Sequence, residues 1–475
     1  MIMNNNLLID FYELTMSQAY FMQNKHQQIA YFDVFFRRIP DSGSFVIANG
    51  IGQIVEYLQN FAFISEDINY LKSLGKFNDG FLEYLKKVKF TGDMWAVEDG
   101  TIVFENEPVI TIKAPLIEAQ LIETMLLLLF NRSSLITTKA ARIVLSAKGK
   151  AVMEFGTRRA QGISAAVDGA RDTFVAGCVG TACTQAGFEY GLPVLGTMAH
   201  SFVQSFDTEF EAFKAYALAF PTACTLLVDT YNTLKKGVPN AIRVHNEVLA
   251  PMGQSLKGIR IDSGDLAYLS KQARKMLDEA GLIDTQIIVS NSLDEFLISS
   301  LLEQDSPIDV FGVGENMITA KSQPVFGGVY KLVALEEDGK IIPKIKLSDN
   351  ESKTTNPHFK KIFRLCDKEG MFITDIISLH NEDAPKGQIE LVHSTNDWVR
   401  KTVDDYVVTQ PKVKMFENGK QIFETKTLQE TKAKVQAELA TLWPEAKRLY
   451  NPHTYTINLS EQLKQIKNEL IKNNI

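Results

Sequence analysis

Six short polar runs hold the residue types that could do chemistry in this 475-residue chain. They are Gly156-Thr157-Arg158-Arg159, Thr197-Met198-Ala199-His200, Asp229-Thr230, Asp262-Ser263-Gly264-Asp265, Ser290-Asn291-Ser292 and Val313-Gly314-Glu315. An imidazole at His200 can act as a base or a nucleophile; a histidine that satisfies local backbone groups is the plainer alternative. The guanidinium groups of Arg158 and Arg159 match carboxylate or phosphate geometry, with a surface ion pair as the alternative for either. Asp262 can accept hydrogen bonds from sugar hydroxyls or help hold a metal ion, and Arg260 can meet an anionic group. Asp265 reads as a helix N-cap. Ser290-Asn291-Ser292 leads into a helix, and Gly312-Val313-Gly314 follows a strand. Backbone N–H groups at such places bind phosphate, although Ser292 can equally cap its helix. Phe155 and Tyr12 can stack on a flat ring. For Tyr12 taken alone, core packing is the stronger reading.

These runs share a position in the local pattern. From about 138 to 332, short apolar segments alternate with helical ones. Strands are predicted at Ala151–Phe155, Val194–Gly196, Ala223–Val228, Gly258–Ile261, Gln286–Val289 and Val310–Gly312. Between them, Leu266, Leu269, Ala273, Met276 and Leu277 fall on one helical face that Gly281 ends. Thr208-Glu209-Phe210-Glu211 and Ser292-Leu293-Asp294-Glu295 both fit a capping box. Repeated strand–helix units imply a parallel sheet, and six or more favour a barrel over a doubly wound sheet. Each polar run lies just beyond a strand, so in a barrel all six converge on the rim that carries active sites. Two phosphate-type loops on adjacent strands of that rim point to a phosphate on a sugar.

The flanks read differently. Met94–Val97, Thr101–Phe104 and Val109–Ile112 are β-rich runs broken by turn residues, which suggests a small antiparallel sheet. A helix is predicted from Pro115 to about Asn131. Ser348–Pro357 reads as a long polar loop, 359–412 as β-rich, and 426–447 and 459–473 as surface helices. The expected organisation is an N-terminal α/β domain over 1–137, completed by C-terminal segments, a catalytic barrel over 138–332 and a C-terminal α+β region over 333–475.

A net charge of −7 with both signs interspersed argues against nucleic acid or an anionic membrane as the main partner. The most apolar run, Leu116–Phe130, contains Glu118, Gln120 and Glu123 and is too short and too polar to span a bilayer. Met1–Asp10 lacks the form of a signal peptide, and a cytoplasmic location is the expectation. Cys178, Cys183, Cys224 and Cys366 show neither zinc-finger spacing nor a secretory framework, so free buried thiols are expected.

Several of these stretches, together with others, resemble one family. Glu154-Phe155-Gly156-Thr157-Arg158-Arg159-Ala160-Gln161-Gly162 is similar to a signature of nicotinate phosphoribosyltransferases. So are Gly196–Phe202 around His200, Arg260–Leu266, Phe326–Leu332 and Ser134–Arg142, in the family's order, and Asn451-Pro452-His453 near the C-terminus also fits. The resemblance implies an irregular α/β barrel with an N-terminal open-sandwich domain. It implies formation of nicotinate mononucleotide and pyrophosphate from nicotinate and phosphoribosyl pyrophosphate, in NAD salvage, with ATP as co-substrate and Mg²⁺ as the expected cofactor. It further implies a homodimer with shared active sites.

Residue roles follow from the same resemblance. His200 matches the histidine that ATP phosphorylates transiently. Phe155 and Tyr12 match the aromatic pair around the pyridine ring, with Tyr12 coming from the partner subunit. Thr197, Arg260 and Arg158 match positions near nicotinate. Asp229 and Asp262 match acidic residues of the ribose and pyrophosphate region. Ser290, Asn291, Ser292, Gly312 and Gly314 match the loops that hold the 5′-phosphate. Many relatives have Thr where this chain has Glu315, and a carboxylate beside a phosphate is repulsive. Either Glu315 points away or this loop is arranged differently. Nicotinamide phosphoribosyltransferase, with the same fold and a similar histidine, is the nearest rival; its substrate carries a neutral amide, whereas the paired Arg158-Arg159 favour a carboxylate. A non-catalytic pyridine-nucleotide sensor is the rival of another class.

Overall fold

The computed structural model describes residues 6–348, 354–392 and 400–474. Of the polar loop expected over Ser348–Pro357, residues 349–353 lie outside the described residues, as do 393–399 of the β-rich stretch. The chain forms two compact units, Met1–Leu135 with Val325–Ile475, and Ile136–Pro324.

The second unit is built on a six-stranded sheet. Its strands run Gly180–Thr181, Ala151–Glu154, Val310–Val313, Gln286–Ser290, Gly258–Ile261 and Thr225–Leu227 in spatial order, and every pairing is parallel. Most of the segments are short and apolar because a parallel barrel sheet is buried on both faces, by helices outside and by side chains inside. Val310–Val313 is buried throughout, as are the last four residues of Gln286–Ser290. The last strand in sequence pairs with the first, Val310 opposite Ala151, as in an α/β barrel, while Gly180–Thr181 and Thr225–Leu227 remain the two edges, so the barrel is irregular and open.

Two details differ from expectation. Val194–Gly196 contributes a single bridge, Thr181 to Val194, rather than a strand. Its neighbour Gly180–Thr181 carries no apolar run to reveal it. Gly180 is required by close approach: a Cβ there would lie 2.6 Å from the carbonyl oxygen of Pro193. The expected Thr208 capping box is present, and Asp265 caps its helix by accepting from the Tyr268 N–H. Ser292 does not cap. Helix Glu295–Glu303 is capped two residues later, with Asp294 accepting from the N–H groups of Phe296 and Leu297.

The first unit has a seven-stranded antiparallel sheet in the order Lys340–Pro343, Gly328–Glu337, Ile29–Phe36, Ile110–Pro115, Asp93–Val97, Lys412–Glu417 and Lys420–Gln421. Chain from beyond residue 325 therefore completes the N-terminal sheet. Phe326–Leu332, expected with the barrel, runs into Gly328–Glu337, which pairs with Ile29–Phe36. Alternating hydrophobicity marks a strand but not its partner. The helix expected from Pro115 to Asn131 runs instead as Leu116–Leu121 and Glu123–Ser146. A second sheet, Val407–Thr409, Lys360–Cys366, Phe372–Leu379 and Ile457–Leu459, lies in the same unit. Its buried Arg364 is held by Asp375 at 2.7 Å. All four cysteines are free and buried.

Candidate active site

The rim of the parallel sheet brings together most of the residues singled out from sequence. Asp229 follows the strand Thr225–Leu227, and Asp262 follows Gly258–Ile261. The two strands are neighbours, so the aspartates interlock: Asp229 Oδ2 accepts from the Asp262 N–H at 2.9 Å and from the Ser263 hydroxyl at 2.6 Å. The other Asp229 oxygen, Oδ1, is buried without a hydrogen-bond partner and lies 4.0 Å from His200 Nε2. Asp262 Oδ2 lies 3.9 Å from the same nitrogen.

His200 opens the short helix His200–Gln204, and its Nδ1 is 3.1 Å from Thr230 Oγ1. The ring is therefore held at one nitrogen by a hydroxyl while the other faces two carboxylates. Its side chain keeps 39% exposure.

Arg260 is the hub. Its Nε donates to Ser290 Oγ at 2.8 Å, one terminal nitrogen to Asp262 Oδ1 at 2.8 Å, and the other to Thr197 Oγ1 at 3.4 Å. Ser290 also donates to Asp262 Oδ1. The strand ends of 260, 262 and 290 are thus cross-linked by one planar group whose fork matches them. The guanidinium carbon stands 5.3 Å from the centroid of the Phe155 ring.

Phe155 is fixed from below. Glu154, fully buried, accepts from the Thr181 hydroxyl at 2.5 Å and from the Gly156 N–H. Burial raises its carboxyl pKa, and those two donors oppose the rise. Phe155, Arg158, Thr197, His200, Arg260 and Asp262 line a common cavity of about 290 Å³. Arg158 and Arg159 therefore part company: Arg158 faces that cavity, while Arg159 Nε lies 3.7 Å from Glu315.

Glu315 is turned to cations rather than to a neighbouring loop. Lys321 sits 2.6 Å from its carboxylate, and that lysine, helped by Arg159, lowers the carboxyl pKa. Asn291 and Ser292 are both left-handed, with φ of 94° and 49°.

Tyr12 belongs to the first unit. It is 45% exposed on helix Phe11–Met22, and burial of its hydroxyl, with Glu123 nearby, pushes its pKa up. Two polar side chains that the sequence reading gave no role emerge at the rim, Thr230 and Asn316. Thr230 sits directly after Asp229 at a strand end, a position that was the available signal. Asn316 left none.

A parallel α/β barrel whose strand ends gather an aromatic face, paired guanidiniums and an imidazole flanked by carboxylates defines a barrel enzyme. The chain belongs to the nicotinate phosphoribosyltransferase (NAPRTase) family: the family pattern matches residues 150–370, its N-terminal domain 7–131 and its C-terminal domain 359–467. It is 42% identical to nicotinate phosphoribosyltransferase of Bacillus subtilis (strain 168) over 460 residues, 96% of this chain and 93% of that one. It is 41% identical to a nicotinate phosphoribosyltransferase of Mycobacterium tuberculosis over 415 residues, 84% of this chain and 87% of that one. The crystal structure of human nicotinic acid phosphoribosyltransferase superposes with a TM-score of 0.87 at 31% identity, covering 97% of this chain and 99% of that one. No helix among the described residues is long and apolar enough to cross a membrane.

Proposed function

We propose that this chain is a nicotinate phosphoribosyltransferase that joins nicotinate to phosphoribosyl pyrophosphate, releasing nicotinate mononucleotide and pyrophosphate in NAD salvage. Family membership supports the reaction. The single observation that carries the substrate choice is the pairing of Phe155 with two guanidiniums, Arg260 at 5.3 Å from its ring and Arg158 on the same cavity. A flat ring stacks on Phe155, and a carboxylate on that ring meets positive charge. Thr197, bonded to Arg260, lies at the same edge.

The remaining roles follow from the family resemblance. Asp229 and Asp262 line the ribose and pyrophosphate region, and Ser290, Asn291, Ser292, Gly312 and Gly314 hold the 5′-phosphate. His200 accepts a phosphate from ATP at Nε2 and so couples ATP hydrolysis to the transfer. Among the described residues no group of three or more metal-type side chains forms a cage. The two carboxylates near His200 do fit Mg²⁺ in its usual mode, one or two carboxylates plus substrate phosphates. Such an ion, when bound there, would supply charge neutralisation for the leaving diphosphate. Positioning of the stacked ring opposite the anomeric carbon supplies much of the rate. The working form is a cytoplasmic homodimer in which Tyr12 of the partner subunit covers the second face of the pyridine ring.

Competing nicotinate against nicotinamide, with pyrophosphate release as the readout, tests the substrate. Preference for nicotinamide would move the chain to the rival amide-specific activity. No release from either would leave a sensor. Mass-spectrometric detection of phosphate on His200 after mixing with ATP tests the coupling, and its absence would remove that step.

A further inference from the structure

Asn291 and Ser292 are two successive non-glycine residues at φ of 94° and 49°. Left-handed conformations of this kind are unfavourable for non-glycine residues and persist where the surroundings impose them. The imposing contact comes from the next rim loop. Asn316, in helix Glu315–Ile318, donates through Nδ2 to the Ser292 carbonyl at 2.9 Å and to the Leu293 carbonyl at 3.1 Å. Both acceptors are carbonyl oxygens, so only the NH₂ end of the amide can make these contacts.

The direction of the clamp has a consequence. No peptide bond among the described residues is cis. In a trans peptide the carbonyl and the following N–H point opposite ways. Drawing the carbonyls of 292 and 293 toward Asn316 turns the N–H groups of Leu293 and Asp294 the other way. These are the groups just ahead of helix Glu295–Glu303, where an anion is attracted to amides and repelled by carbonyl oxygens.

We infer that Asn316 is the positioning residue of the Ser290-Asn291-Ser292 loop, holding its peptide planes in the orientation that receives the 5′-phosphate. The inference rests on the assignment of that loop to the 5′-phosphate under the proposed function. It also accounts for Glu315. The loop after Val310–Val313 acts through the side chain of Asn316, so residue 315 is released from contact with the phosphate and its carboxylate is neutralised by Lys321 at 2.6 Å.

The test is steady-state kinetics on the full chain with three variants. Asn316→Asp keeps the shape and removes the two donors; Asn316→Ala removes the side chain. Both are expected to raise the KM for phosphoribosyl pyrophosphate about tenfold, the loss of roughly one to two hydrogen bonds. The KM for nicotinate and the phosphate incorporated on His200 should stay near wild type, which a general loss of folding would not allow. Ser292→Pro cannot adopt φ of 49° and breaks the loop whatever Asn316 does. If Ser292→Pro raises that KM and neither Asn316 variant does, the positioning role is overturned and the loop assignment stands. If Ser292→Pro leaves it unchanged, the loop assignment itself falls, and the inference with it. If the Asn316 variants raise both KM values equally, the residue is merely structural and the inference is wrong.

Discussion

Phe155 packs directly against Gly312. A Cβ at residue 312 would stand 2.6 Å from both Cδ2 and Cε2 of the Phe155 ring and 3.3 Å from the Ser290 Cβ. The missing side chain of Gly312 is what allows the Phe155 ring to occupy its present position. Gly312→Ala is expected to push the ring out of that position. Overpacking of this kind costs about 1–3 kcal/mol, so the KM for nicotinate should rise roughly tenfold, and the KM for phosphoribosyl pyrophosphate should rise less. Initial-rate measurements varying each substrate separately check the split. A rise confined to phosphoribosyl pyrophosphate would assign Gly312 to the phosphate alone, and equal rises in both would mean a general distortion of the rim.

Arg260 yields the second prediction. Lysine at residue 260 would keep the charge and lose the fork that meets Ser290, Asp262 and Thr197 together. Arg260→Lys should lower kcat/KM for nicotinate on the order of 100-fold, since hydrogen bonds to charged groups are worth about 1.5–3 kcal/mol each. Thermal unfolding should change little by comparison, because the side chain reaches the rim rather than the core. A variant that loses stability and activity in proportion would make Arg260 a structural tie.

How much of this was legible from the chain depends on what each feature leaves in sequence. The rim was legible because a buried parallel strand is an apolar run, and the polar residue that ends it is conspicuous: Asp229, Arg260, Asp262 and Ser290 all meet within hydrogen-bond reach. The strand Gly180–Thr181 was not, because two residues leave no period. The cap at Asp294 was taken for Ser292, since both residue types cap and only the backbone at φ of 49° decides between them. The pairing of Lys412–Glu417 with Asp93–Val97 joins segments some 300 residues apart, and no local pattern encodes such a partner. Arg158 and Arg159 are adjacent and chemically alike, so their division between the cavity and Glu315 appears only in three dimensions.

Thr230 gives a prediction about the histidine. With Nδ1 of His200 held at 3.1 Å by the Thr230 hydroxyl, the ring presents Nε2 toward Asp229 and Asp262. Thr230→Val keeps the volume and removes the contact. Phosphate incorporation on His200 from ATP should fall about five- to tenfold, the worth of roughly one hydrogen bond, and Thr230→Ser should restore it. Rapid-quench measurement of labelled phosphate on the protein checks both variants. Unchanged incorporation in Thr230→Val would show that the two carboxylates alone orient the ring.

Glu13 sets a pH dependence in the first unit. It is fully buried. Its Oε1 accepts from the Thr124 hydroxyl, and its Oε2 has no partner. Burial, with Glu123 and Asp10 adding negative charge and Thr124 opposing, pushes its pKa from 4.5 up to about 8. The folded chain therefore holds a proton between those two values that the unfolded chain has released. Where the folded state binds more protons, stability falls as pH rises, so this carboxyl should erode stability progressively from about pH 4.5 to about pH 8. Glu13→Gln keeps an acceptor for Thr124 and removes the titration. Chemical denaturation at a series of pH values should show a steeper decline across that window for the wild type than for Glu13→Gln. Parallel curves for the two proteins would mean that Glu13 ionises in the folded state at its ordinary pKa, and that the neighbourhood of Tyr12 carries a charge which its packing does not relieve.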